Sequence, residues 1–183
     1  MSIYQPSDDS YLLQKSLTNF LKNKPKSLKI LDMGSGSGIQ AQTCKNLNFN
    51  NITTADINKE ATTHLKKQNL NPIPSNLFSN IKTKFNLIIF NPPYLPEDKR
   101  EPKDSKLQTT AGKKGHELIT KFLTQATNHL KKDGTILLLF SNLSQPKIIL
   151  KHAKKLNYNH KLLDKNKIPF EELYVYEFKP KPL

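Results

Sequence analysis

Strands and helices alternate through most of this chain, which predicts an α/β fold: a doubly wound, mostly parallel sheet with helices on both faces. Two further observations support it. Phe85–Phe90 is apolar at nearly every position, as in a strand buried on both faces. Polar and glycine residues then recur just past the apolar runs: Asp32, Gly34, Gly36, Asp56, Asn76 and Asn91. Those are strand tips, where open α/β sheets place their ligand crevice. Two closing strands with a short connection read as an antiparallel hairpin at one edge.

The length of 183 residues suits one domain with a sizeable core, spanning 1–183. The net charge of +14 invites a polyanionic partner such as RNA or DNA. Nearly all of it is lysine, however, and Arg100 is the sole arginine. Bidentate phosphate and base contacts favour arginine. Joint enrichment in lysine and asparagine also fits a compositional bias, so the charge is left open between the two readings. No apolar run reaches the ~18–20 residues of a membrane span. Met1–Gln5 lacks a basic stretch followed by an apolar one, so no signal peptide is expected. The single cysteine, Cys44, forms no internal disulfide and fits a reducing cytosol, so a cytoplasmic protein is expected. The five histidines are scattered, and none is read as a metal ligand.

Taken in order, Tyr4–Ser10 leads into a helix whose Leu12, Leu13, Leu17, Phe20 and Leu21 recur at helical spacing. Ser7 or Asp8 serves as its N-cap. Taken alone, Asp8-Asp9 reads as charge complementing a helix N-terminus. Leu28–Met33 is the first strand, followed by Gly34-Ser35-Gly36-Ser37-Gly38 and a helix from Ile39 to about Leu47. Strand, glycine turn and helix bring a backbone close to a ligand. The spacing is GxGxG and not the GxGxxG of dinucleotide sites.

Asn51–Asp56 is the second strand, and Asp56 closes it 20 residues after Gly36. An acid at that distance binds ribose hydroxyls in Rossmann-like units. The alternative is an N-cap for the helix Asn58–Asn69. Asn71–Ser75 is a short third strand whose Pro72 and Pro74 point their missing N–H groups to one side, which only an edge tolerates. Asn76-Leu77-Phe78 follows on the ligand side.

Phe85–Phe90 ends in Asn91-Pro92-Pro93-Tyr94. Each proline lacks an N–H and fixes φ, so the strand stops in a stiff turn. Leu95 to about Gly115 is a long charged stretch without periodicity, read as a lid or binding loop. A helix with Leu118, Ile119, Phe122, Leu123 and Leu130 comes next. Lys132-Asp133-Gly134 turns into the strand Thr135–Phe140, and a helix runs from about Pro146 to Leu156. Asn159–Asp164 and Glu172–Phe178 form the hairpin.

At these residues the chain resembles the class I S-adenosylmethionine-dependent methyltransferases, and more narrowly the HemK-type protein glutamine-N5 methyltransferases. Pro6-Ser7-Asp8-Asp9-Ser10-Tyr11 looks like that family's N-terminal motif, and Leu31–Gly38 like its cofactor motif. Asn91-Pro92-Pro93-Tyr94 matches its catalytic motif. Ala111-Gly112-Lys113-Lys114-Gly115 resembles a glycine-rich segment with its first glycine replaced.

The resemblance implies a Rossmann-like class I methyltransferase fold with a mostly parallel seven-stranded sheet, residues 1–25 packing over the cofactor site. It implies S-adenosyl-L-methionine as cofactor and the glutamine of a GGQ motif in a peptide-chain release factor as substrate. By length the chain is similar to the short archaeal and eukaryotic form, which implies a small zinc-binding activator subunit as a partner. Pro72 and Pro74 would remove two donors from the edge beside which that subunit docks.

The resemblance also implies roles. Asn91 Oδ1 and the Pro92 carbonyl accept the two N–H groups of the substrate amide, Pro93 fixes that carbonyl, and Tyr94 packs against the amide plane. Gly34, Gly36 and Gly38 admit the methionine part of the cofactor, and Asp32 faces its ammonium or sulfonium. Asp56 takes the ribose hydroxyls, Ile57 and Leu77 flank the adenine, and Asn76 accepts from the adenine amino group where relatives carry an acid. Ser10 closes over the cofactor. The rival reading is a nucleic-acid N-methyltransferase acting on adenine N6 or guanine N2. The lack of an aromatic-interleaved basic stretch for base flipping counts against it.

Overall fold

The computed structural model describes residues 3–98 and 109–182. Strand β1 (Ile30–Met33) is buried throughout. It pairs in parallel with β2 (Ile52–Asp56) on one side and β4 (Phe85–Phe90) on the other. β3 (Pro72–Pro74) adds to β2, and β5 (Leu130–Ser141) adds to β4, both in parallel. The last two strands form a hairpin, β6 (Tyr158–Ile168) and β7 (Glu171–Pro180), and β7 runs antiparallel against β5. The seven-stranded order is β3-β2-β1-β4-β5-β7-β6. The edge placement of β3 follows from its prolines. Thr54 N donates to Asn71 O at 3.2 Å and Ser75 N to Asp56 O at 2.9 Å, so the alternate positions, Pro72 and Pro74, face outward.

Two apolar clusters cover the two faces of the sheet. On one, α1 (Asp8–Leu21) packs Leu12, Leu13, Leu17 and Leu21 over Leu87, Ile89, Leu137 and Leu139. α2 (Ile39–Asn46) lies beside α1, and Gln14 Nε2 donates to Thr43 Oγ1 at 2.9 Å. On the other face, α4 (Glu117–Ala126) sets Ile119, Phe122 and Leu123 against Ile88, Phe90 and Leu138. α5 (Pro146–Lys155) joins that cluster through Ile149 and Ala153. α3 (Lys59–Lys67) follows β2, capped by Asn58, whose side chain accepts from Glu60 N. Among the described residues, no helix is long and apolar enough to cross a membrane.

Two local expectations are corrected. Lys132-Asp133-Gly134 is not a turn before β5 but lies within it. Phe85 pairs with Leu130 and Leu87 with Thr135, so residues 131–134 bulge opposite Asn86. Leu130 therefore belongs to the strand, after a 3-10 turn at Thr127–His129, and not to α4. Ser7 occupies the N-cap of α1 with extended backbone but makes no side-chain capping bond. The stretch 95–115 lies partly outside the described residues. Its described ends are tied together: Leu95 N donates to Thr109 O at 2.8 Å and Ala111 N to Leu95 O at 2.9 Å.

Candidate active site

The sheet register builds the site. Met33 stands opposite both Ala55 and Phe90, so one more step along each strand brings Gly34, Asp56 and Asn91 abreast. Asp56 in turn pairs with Pro74, which brings Ser75 and Asn76 alongside. A cavity of about 530 Å³ opens at these tips. That volume lies within the range of small-molecule pockets.

Asn91 lines this cavity, and its amide has one settled orientation. Nδ2 donates to Asp9 Oδ2 at 3.1 Å. A carboxylate accepts and does not donate, so the amide nitrogen must face Asp9 and the oxygen must face away. That oxygen is buried and has no hydrogen-bond partner among the described residues. The Asp9 carboxylate is itself gripped by Ser10, through N–H and hydroxyl, and by the Tyr4 hydroxyl at 3.1 Å. Burial, then the Asp9 charge, pushes the Tyr4 hydroxyl pKa well up, so Tyr4 stays a donor. Asp9 lies in the first turn of α1, where its charge complements the helix end, but it is only 4% exposed and also holds the Asn91 amide.

The glycine turn forms the floor. Gly36 N donates to Asp56 Oδ2 at 2.8 Å, and Asn58 N donates to Oδ1 at 2.8 Å. Gly36 has φ +51°, and a Cβ there would meet nothing nearer than Gly34 O at 3.9 Å, which leaves its backbone open to a ligand. Burial raises the Asp56 pKa, against the pull of the N–H groups of Asn58, Gly36 and Ile57. Asp32 accepts from Ala41 N at 3.1 Å, and burial, aided by the Asp56 charge, pushes its pKa up to about 7. A cation brought beside such a buried carboxyl favours its ionised form and draws its pKa back down.

Ser10, Asp32, Gly34, Gly36, Asp56, Ile57, Asn76, Leu77, Asn91, Pro92 and Pro93 all reach the cavity wall. Ile57 is 55% exposed there, an apolar surface at the wall. Two expected site residues lie elsewhere. Gly38 has φ +85° and sits where a Cβ would come within 2.9 Å of Leu65 and Gln68, so it serves the packing of α2 on α3. Tyr94 packs against both apolar clusters, and its carbonyl accepts from Ser144 Oγ at 2.7 Å. It anchors the turn from behind. Burial first, then the Asp9 and Glu171 charges, raises its hydroxyl pKa far beyond the ordinary value.

Several wall residues went unread in the sequence. Tyr4 and Asp9 come from the N-terminal segment, Gln40 from α2, and Leu118 and Lys121 from α4. Only Asp9 carried a signal, as the fourth residue of the Pro6–Tyr11 motif. Ala111 is 2% exposed and reaches the wall.

The open glycine turn, the buried acids and the unpaired acceptors fit a cationic, adenosine-bearing cofactor. Fold and cavity together define a class I methyltransferase that uses S-adenosylmethionine. Residues 10–167 match the methyltransferase small domain, and the chain belongs to that family. It is 35% identical over 181 residues to a Methanocaldococcus jannaschii protein provisionally assigned as a protein N5-glutamine methyltransferase, a match covering 94% of this chain and 89% of that one. It is 34% identical over 131 residues to the release factor glutamine methyltransferase of Lactococcus lactis, covering 64% of this chain and 48% of that one. The chain thus spans about half the length of that bacterial relative. Among solved structures it is similar to the E. cuniculi Mtq2–Trm112 complex, responsible for methylation of the translation termination factor eRF1. The TM-score is 0.80 at 22% identity, covering 99% of this chain and 100% of that one. At that identity the likeness speaks to the fold, a mixed seven-stranded sheet with an antiparallel C-terminal hairpin.

Proposed function

We propose that the chain methylates the side-chain amide N5 of the glutamine in a GGQ motif of a peptide-chain release factor. The observation that carries this reading is Asn91: a cavity-lining amide held by Asp9, with its oxygen buried and unpaired beside two prolines. A planar –NH2 group offers two N–H donors, and Asn91 Oδ1 with the Pro92 carbonyl are the acceptors that match it. Binding both aims the nitrogen and favours the positive charge that develops on it. Pro93 keeps the Pro92 carbonyl from turning, because its ring holds the backbone. The bound cofactor supplies an already electrophilic methyl. No base need act before attack, since a proton leaves readily once the nitrogen carries the methyl.

Asp56 would hold the ribose hydroxyls, Ile57 and Leu77 the adenine faces, and Asn76 the adenine amino group. Gly34 and Gly36 would admit the methionine half beside Asp32, under Ser10. A small activator subunit, zinc-binding by the resemblance, is the proposed protein partner. The outward prolines of β3 disfavour its docking by strand pairing, so contact through side chains is the better fit. A monomer returned from a pull-down at full activity would retire that partner.

The test is incubation with labelled S-adenosylmethionine and a release factor, RNA or DNA. Label on the release factor glutamine is the expected result. Label confined to nucleic acid would overturn the protein substrate and bring forward the rival reading.

A further inference from the structure

Two amide side chains on the cavity wall share one state. Gln40 is 4% exposed, and its Nε2 donates to the Ser10 carbonyl at 2.9 Å. Among the described residues its Oε1 is buried without a partner, as is Oδ1 of Asn91. A carbonyl accepts only, so Ser10 O fixes the Gln40 amide as Asp9 fixes that of Asn91. One dipeptide step at the start of α1 therefore holds both amides by their nitrogens. Each leaves an oxygen unsatisfied, which is costly in a buried setting. Retaining two such costs in one cavity has a physical reason if ligands supply the missing donors.

The two oxygens serve different ligands. Asn91 belongs with the substrate amide. Gln40 is the second residue of α2, just past the glycine turn, and shares the wall with Asp32. The adenosine end is set by Asp56, Ile57 and Leu77, so the donor group near Gln40 is the α-ammonium of the methionine half.

We propose that Gln40 binds the cofactor α-ammonium through Oε1, and that the Asp9–Ser10 step is the positioning element for both Gln40 and Asn91. The inference rests on the methyl-transfer reading of the cavity and adds a cofactor-binding residue and a positioning residue to it. It also makes the N-terminal segment part of the chemistry as well as a cover.

Calorimetry with two ligands tests the Gln40 half. S-adenosylhomocysteine carries the α-ammonium, and 5′-methylthioadenosine lacks the whole amino-acid half. Gln40→Met keeps the volume and removes both polar atoms. It is expected to weaken S-adenosylhomocysteine about tenfold or more, as for a lost charge-assisted hydrogen bond, and to leave 5′-methylthioadenosine within twofold. Equal loss for both ligands, or loss for neither, overturns the assignment.

For Asp9, the Asp9→Ala variant frees the Asn91 amide to rotate. Its kcat is expected to fall at least about tenfold, since a hydrogen bond to a charged group is lost, with 5′-methylthioadenosine binding unchanged. A doubly exchanged Asp9→Asn/Asn91→Asp chain restores a donor facing an acceptor and is expected to recover activity over Asn91→Asp alone. No recovery, or a fully active Asp9→Ala, overturns the positioning role. If Asn91→Ala itself remains active, it is the reading of the cavity that fails, and the two failures are thereby told apart.

Discussion

Asn91→Ala removes the side-chain oxygen proposed to accept from the substrate nitrogen. Methyl transfer to a release factor is expected to disappear while cofactor affinity stays within a few-fold, measured by single-turnover labelling and calorimetry. Asp56→Ala is expected to weaken cofactor binding strongly, because its carboxylate both braces Gly36 and presents acceptors at the β2 tip; an unchanged Kd would remove it from the site. Asp32 adds a pH dependence. Burial raises its pKa from 3.8 to about 7, so the folded chain holds a proton that the unfolded chain has released. Its contribution to stability is therefore lost as pH rises from about 4 through 7. A cation bound beside Asp32 reverses the preference and expels that proton. Cofactor affinity is expected to fall, by up to about tenfold per pH unit, as pH drops below about 7. Calorimetry in buffers of different ionisation enthalpy should register the released proton, and a Kd flat between pH 6 and 8 would contradict it.

At the scale of elements, α1 joins stability to chemistry. Its buried Leu13 and Leu17 lock it on the sheet, and that lock places Asp9 and Ser10 at the cavity. Leu17→Ala, in a fully buried site, is expected to cost about 2–5 kcal/mol, read by denaturant unfolding. Activity should decline at lower denaturant than the global transition, because the first turn of α1 carries the positioning contacts. The elements were largely legible in the sequence. The outward prolines marked β3 as an edge, and the apolar run of β4 marked a strand buried on both faces. What escaped was set by neighbours. Helical spacing alone assigned Leu130 to α4, whereas pairing with Phe85 draws it into β5. Gly134 looked like a turn because nothing local reveals that Asn86 stands opposite a four-residue bulge.

Across the molecule, the last strand in sequence lies inside the sheet. β7 pairs with both β5 and β6 and supplies fully buried Leu173, Val175 and Phe178 to the cores. A chain stopped after Lys167 is therefore expected not to fold, as judged by circular dichroism and proteolysis. The same sheet order puts the carboxyl ends of β1, β2 and β4 together, which is why the wall residues read from the strand tips do converge.

Residue type and spacing were enough to determine the alternating architecture, the glycine turn, the acid closing β2 and the Asn-Pro-Pro corner, because each of these is imposed by local backbone and side-chain chemistry. Only the folded chain decided that Asp9 is a partner of Asn91 from 82 positions away, that Gln40 shares its dependence on the same helical turn, and that Gly38 and Tyr94 face the core. Those facts depend on which surfaces meet once helix α1 lies across the sheet, and no window of neighbouring residues contains that contact.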